Sequence, residues 1–168
     1  MARINKLTTT LLDFAKPVKP DPEPADINRL VKETLDLLRQ ESEEQGIIIE
    51  TDLVREIPIT PFDYHQIKQV LINLLINSFD AVEKNGRIKV RTTLSGSGLL
   101  LSVQDNGKGI GEKEMENIFN PFFTTRTRGT GLGLAISRKI AKEHGGDITV
   151  ESALNEGSKF TLFLPLKR

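Results

Sequence analysis

The chain has 168 residues, with 23 acidic and 23 basic side chains and a formal charge of zero. This length suits one domain around a single core, and the charge balance excludes a general nucleic-acid binder, which needs a basic excess. No cysteine is present, so disulfides and zinc–thiolate sites are excluded. No stretch reads as a membrane span or as the apolar core of a signal peptide. The expectation is a cytoplasmic domain without membrane contact of its own, with an anchor elsewhere in a longer parent left open.

In chain order, Ile4, Leu7, Leu11 and Phe14 have the alternating three-and-four spacing of a coiled-coil seam. Residues 1–16 are therefore expected to be the C-terminal end of a longer helix. Pro17, Pro20, Pro22 and Pro24 stop it and predict a semi-stiff linker over 17–25. The domain itself is expected over 26–168. Asp26 is a candidate N-cap for a helix whose buried face is Ile27, Leu30, Val31, Thr34, Leu35 and Leu38, ending near Gly46. Residues 47–53 read as a strand. Asp63, with Gln66 three residues on, predicts a capped helix running to about Lys84. Strands follow over 86–94 and 99–104, then a glycine-rich loop from Asp105 to Gly111 and a short helix over 112–118. Residues 119–130 have no clean period and read as a long loop. A helix over 131–144 and a hairpin of strands 147–152 and 158–164 complete the chain. Hairpins set between helices predict an α+β fold, a two-layer sandwich of a mixed β-sheet covered on one face by helices.

The helix after Asp63 carries an unusual polar stripe: Gln66, Gln69, Asn73, Asn77, Asp80 and Lys84, between apolar arcs that include Ile72, Ile76 and Phe79 on the far side. Asparagine is a poor helix former, and Asn73 and Asn77, four apart, share one side. Two of them between apolar arcs predict a cleft lining, where an amide oxygen suits a hard cation such as Mg2+. The run Asp105-Asn-Gly107-Lys108-Gly109-Ile110 follows a strand. A turn needs one glycine; two spaced by one residue predict backbone held close to a ligand. Asp105, ionised, only accepts hydrogen bonds and suits an exocyclic amine. Gly129-Thr130-Gly131-Leu132-Gly133-Leu134 opens a helix, where backbone N–H groups favour a phosphate. Its spacing fits neither the dinucleotide fingerprint nor a P-loop.

Taken in order, these elements resemble the catalytic, ATP-binding domain of sensor histidine kinases, within the wider gyrase, MutL and histidine kinase ATPase group with the Bergerat-type fold. Asn73-Leu-Leu-Ile-Asn77 is similar to the N box, 105–110 to the first glycine box, Phe119-Asn-Pro-Phe-Phe-Thr124-Thr125 to the F box, and 129–134 to the second glycine box. Gly157-Ser158-Lys-Phe resembles the last motif. The resemblance implies Mg2+ on Asn77 with Asn73 beside it as catalytic residues, and Asp105 on the adenine amine. It implies nucleotide contacts from Asp80, Gly107, Lys108, Gly109, Ile110, Phe119, Thr124, Thr125, Arg126, Gly129, Thr130, Gly131, Leu132, Gly133, Leu134 and Ser158. It implies an ATP lid over 119–130, where Arg126 and Arg128 are placed to meet phosphate or a partner domain, and where Phe122 and Phe123 anchor the lid on the protein. Hydrolysing relatives carry a glutamate where this chain has Asn73. Asparagine cannot act as a general base, so transfer to an acceptor is expected over gyrase-type hydrolysis. His65 and His144 are expected to be structural, His144 with a charge suited to its helix end. The phosphoacceptor is then on a dimerisation and histidine-phosphotransfer domain of the same kinase, outside this chain, and the phosphate passes to a response regulator. The chain alone is expected to be monomeric and the full kinase homodimeric.

Overall fold

The computed structural model describes residues 19–96, 98–126 and 129–166. The predicted seam at Ile4, Leu7, Leu11 and Phe14 lies outside these residues, as does Arg128. Five strands form the main sheet in the order β2-β4-β5-β7-β6: β2 (Ile48–Leu53), β4 (Arg87–Ser95), β5 (Gly98–Asp105), β7 (Gly157–Pro165) and β6 (Asp147–Ala153). Only β2 and β4 run parallel, with Ile48 opposite Arg87; the other neighbours are antiparallel. The sheet is mixed, as expected.

Strand periodicity decides the layers. Ile88, Val90, Leu99, Leu101, Val103, Ile148, Phe160, Leu162 and Leu164 face the helices and are buried, because alternate residues of a strand point to one side. The opposite face is polar and held by cross-strand ion pairs, Asp52–Arg91 at 2.6 Å and Glu151–Lys159 at 2.9 Å. Against the apolar face lie α1 (Ile27–Leu37), α3 (Tyr64–Ala81) and α5 (Gly133–Glu143). Asp26 caps α1 by accepting from the Asn28 and Arg29 amides. The predicted single helix to Gly46 is two: α1 stops at Leu38, and α2 (Arg39–Gln45) continues to a left-handed Gly46 at φ 68. The sequence Arg39–Gln45 is wholly polar and has no apolar face to hold it in line with α1. The short α4 (Glu112–Met115) is shorter than predicted.

Helix α3 occupies the centre of the helical layer. Ile67, Val70, Leu71, Leu74, Leu75, Ser78 and Phe79 are buried. Phe79, assigned to the far side from the sequence, thus belongs to the core face, and Ile76 is the residue left 42% exposed. The helix ends at Ala81, so Lys84 is beyond it and the polar stripe is one member shorter than predicted.

The proline-rich entry is partly ordered into structure. β1 (Glu23–Ala25) pairs antiparallel with β3 (Thr60–Phe62), placing the incoming chain at the start of α3. Asp63 is the junction. Its carboxylate accepts from the Gln66 amide at the head of α3 and from the Asp21 amide of the entering chain. Its own N–H donates to His144 Nε2 at 3.1 Å, while His144 Nδ1 lies 2.8 Å from the Ile140 carbonyl. One ring nitrogen accepting and the other donating defines a neutral imidazole. The expected charged His144 is therefore corrected, although its structural role stands.

Candidate functional site

Two helices and two loops converge at the C-terminal half of α3. Asn73 points at the first turn of α5: its Nδ2 donates to the Gly133 carbonyl at 3.2 Å and to Ser137 Oγ at 3.1 Å. This carboxamide ties α3 to the helix that the glycine-rich segment opens. Asn77, one turn on, holds a buried Nδ2 without a partner. A buried polar atom left unpaired costs roughly 1–3 kcal/mol, a cost normally accepted only where a ligand completes the bond. The carboxamide turns about its Cβ–Cγ bond, so it can offer N–H to a phosphate oxygen or its oxygen to a cation. The residues therefore fit a nucleotide with its metal, and Asn77 is the residue suited to Mg2+.

Asp105, at the end of β5, is 4% exposed. Its Oδ1 accepts from the Gly107 amide at 2.9 Å and the Ser158 amide at 3.2 Å, and Oδ2 accepts from Ser78 Oγ at 3.2 Å. Burial raises its pKa, against the lowering effect of these donors. A carboxylate oxygen has more than one acceptor direction, so Oδ2, with one donor, retains capacity for an amine.

The glycine loops are also fixed by close approach within the chain. A Cβ on Gly107 would lie 2.4 Å from the Ala81 carbonyl oxygen, and one on Gly109, at φ 67, would lie 1.8 Å from that of Ala153. These glycines are required by the chain's own backbone. Gly131, at φ 69, is likewise pressed on the Phe122 backbone. Lys108 is exposed, and its carbonyl accepts from the Asn155 amide. The Ile110 amide donates to Ser152 Oγ at 2.9 Å.

Of the 119–130 segment, the described residues 119–126 reach α3 through Arg126. Arg126 donates through Nη1 to Asp80 at 2.5 Å and through Nη2 to the Asn77 carbonyl at 3.1 Å. Arg126 and Asp80, both expected on the nucleotide, are here each other's partners. Phe119 carries the Arg138 guanidinium 4.6 Å from its ring centre, and Phe123 packs against the core. Phe122 does not anchor through its ring: at φ 67 the left-handed backbone turns the side chain outward, 60% exposed, and the hold is the Phe122 amide on the Gly131 carbonyl. Thr124 Oγ1 accepts from the Arg126 amide, and Thr125 and Gly129 are exposed. Thr130 Oγ1 accepts from the Leu132 amide at 3.3 Å, so one of the amides expected to meet phosphate is occupied. Leu132 is 1% exposed and belongs to the core, which removes its side chain from the predicted contacts; Leu134 packs against that core. The Ser158 hydroxyl is 2.9 Å from Ser152 Oγ.

Two site residues escape sequence reasoning: Ser78, which supports Asp105, and Ser152, which supports the loop. A hydroxyl on the apolar face of α3 is a usable signal for Ser78. No local pattern marks Ser152, an ordinary strand-end serine.

Residues 62–168 match the family described as histidine kinase-, DNA gyrase B-, and HSP90-like ATPase. The chain belongs to that ATPase family. Membership makes this an ATP-binding domain. The chain is 38% identical over 164 residues to the sensor histidine kinase ZraS of Escherichia coli K12, covering 98% of this chain and 35% of ZraS. It thus spans about a third of that relative's length. Among solved structures, the catalytic domain of the histidine kinase ThkA superposes with a TM-score of 0.79 at 36% identity, covering 87% of this chain and 96% of that one. ThkA in complex with the response regulator TrrA gives 0.85 at 31%, over 99% of this chain and 48% of that one. Full-length ShkA in complex with AMPPNP gives 0.87 at 26%, over 96% and 35%. The two-layer arrangement of this ATPase family is the α+β fold expected from the sequence. Among the described residues no helix is long and apolar enough to cross a membrane.

Proposed function

We propose that this chain is the nucleotide-holding catalytic part of a sensor histidine kinase. It binds Mg-ATP between α3, the 105–111 loop and the 119–130 segment, and directs the γ-phosphate to a histidine on a helical domain outside residues 19–166. The observation that carries this reading is Asn73. Its amide is spent as a donor to Gly133 and Ser137, so the position four residues before Asn77 holds no base to activate water. The hydrolysing gyrase-type alternative needs one there.

Phosphoryl transfer asks mainly for positioning and charge neutralisation. A bound metal would supply charge neutralisation at the phosphates. Asn77 holds it, Asp105 fixes the adenine amine through Oδ2, and Arg126 exchanges Asp80 for phosphate. Free amides at the start of α5 complete the phosphate end, favoured by the helix dipole. Phosphate then passes to a response regulator, as the pairing of ThkA with TrrA supports for a relative. The parent kinase acts as a homodimer through the helical domain.

Neither histidine of the chain suits the acceptor role. His144 has both ring nitrogens in use. His65 sits twelve residues before Asn77 on α3, about 18 Å along the axis. Incubating the chain with Mg-ATP tests the reading. Magnesium-dependent binding by calorimetry, without phosphohistidine and without multiple-turnover phosphate release, is expected. Stoichiometric phosphohistidine on His65 or His144, or steady release of phosphate, overturns it.

A further inference from the structure

The 105–111 loop has one bond of its own, from the Gly107 amide to Asp105, and is otherwise held from outside. The tip of the β6–β7 hairpin is docked along it. The Asn155 amide donates to the Lys108 carbonyl at 2.8 Å, the Ser158 amide donates to Asp105, and Gly109 sits against Ala153. One hydroxyl closes this junction. Ser152 Oγ donates to the Gly157 carbonyl at 2.7 Å, accepts from the Ile110 amide at 2.9 Å, and lies 2.9 Å from Ser158 Oγ. A serine hydroxyl has one proton and two lone pairs. With its proton on Gly157, Ser152 accepts from both Ile110 and Ser158, and every hydrogen-bonding capacity it has is used.

The consequence falls on Ser158. Its amide is on Asp105 and its hydroxyl proton is on Ser152, so only lone pairs remain. Ser158 is 5% exposed and its neighbour Asp105, also buried, is an acceptor as well. We propose that Ser152 is a positioning residue that sets base specificity: it fixes the loop at Ile110 and consumes the Ser158 proton, so that the base end of the cleft offers acceptors and favours an amine over a carbonyl. Adenine presents an exocyclic amine where guanine presents an oxygen. This inference rests on the reading that Asp105 receives the base.

In Ser152→Ala the Ile110 amide loses its acceptor and the Ser158 proton becomes free to donate to a carbonyl. ADP should weaken about tenfold, GDP should weaken less or gain, and the ADP-to-GDP preference should narrow by at least that factor. Ser152→Thr keeps the hydroxyl and should restore the preference. Calorimetric titration with ADP and with GDP reads these ratios, and the thermal midpoint of each variant is measured beside them. A lowered midpoint with an unchanged ADP-to-GDP preference means a structural role only and overturns the inference. Should the alanine variant fail to fold, Ser152→Cys, whose thiol is a weak acceptor and donor, is held to the same criterion. Asp105→Asn separates the two levels: if it leaves ADP binding unchanged, the base reading itself fails; if it weakens ADP while Ser152→Ala changes no ratio, only the present inference fails.

Discussion

Replacing Asn73 by aspartate tests what holds α3 to α5. The two side chains have nearly the same shape, but the amide donates and an ionised carboxylate cannot. In Asn73→Ala two part-buried neutral bonds are lost, to the Gly133 carbonyl and to Ser137 Oγ. Both partners keep another bond, since Ser137 Oγ donates to the Gly133 carbonyl at 2.8 Å. No buried group is orphaned, so the cost should be about 1–2 kcal/mol. In Asn73→Asp the bond to Gly133 is lost, a negative oxygen is set against its carbonyl, and Ser137 can donate to the carboxylate only by giving up its own bond to that carbonyl. The positive end of α5 returns only up to about 1 kcal/mol, because the carboxylate meets the carbonyl of Gly133 and not the free amides of the first turn. The net loss at pH 7 should be roughly 2–3 kcal/mol, with the midpoint of thermal unfolding lower by about 2–4 °C per kcal/mol. The introduced acid has a folded pKa above its unfolded one. Its penalty is therefore present at neutral pH and is relieved as pH falls through that raised value. Denaturant unfolding of the two variants at pH 7 and pH 4 provides the comparison. An aspartate variant as stable as the alanine variant at pH 7, or one that gains nothing relative to alanine on acidification, would refute donation by Asn73 as the tether.

Asp105→Asn should weaken ADP by about a hundredfold, because a charge-assisted bond is replaced by a donor facing a donor; calorimetry with GDP should show a smaller loss, and equal losses would remove the adenine role. Binding should also decline as pH falls through the raised pKa of Asp105, since only the ionised form accepts freely, and a titration of Kd against pH in the wild type and in Asp105→Asn checks the direction. Leu71, fully buried in α3, should cost about 2–5 kcal/mol as alanine, read by urea unfolding; a loss below 1 kcal/mol would contradict its place in the core. Burial resists ionisation of Asp147, but hydrogen bonds from Lys142 and Arg138 outweigh it and hold its pKa at about 2. A depressed acid stabilises the fold above its unfolded pKa and loses that contribution as pH falls toward 2. Because all three side chains are partly exposed, Asp147→Asn should cost no more than about 1 kcal/mol at pH 7, and the difference from wild type should vanish near pH 2.

Local chemistry made much of the molecule legible in the sequence. Alternation placed Ile88, Val90, Leu101 and Val103 on one face of the sheet, because side chains on a strand point alternately to its two sides. Asp26 and Asp63 announced their helices, because a cap bonds amides two or three residues away. Asn73 and Asn77 showed as a pair because four residues bring side chains onto one face. Their fates were not legible. Asn73 meets Gly133, sixty residues on, and the Asn77 Nδ2 has no partner among the described residues; the same residue type four positions apart takes opposite roles because only the packing of α5 decides which one finds a donor's partner. The glycines were legible as positions of close approach, but the Ala81 and Ala153 carbonyls that lie against Gly107 and Gly109 belong to elements distant in the chain and were not. His144 was read as charged because its helix end was visible and the Asp63 amide was not. Ser152 carried no signal for the same reason: a serine hydroxyl has no periodicity, and its proton is assigned by whichever acceptor the tertiary fold brings near. Sequence alone determined the elements, the faces and the nucleotide motifs, all fixed over a few residues; the hydrogen bonds that join α3, α5 and the hairpin at the site were decided by elements brought together from across the chain.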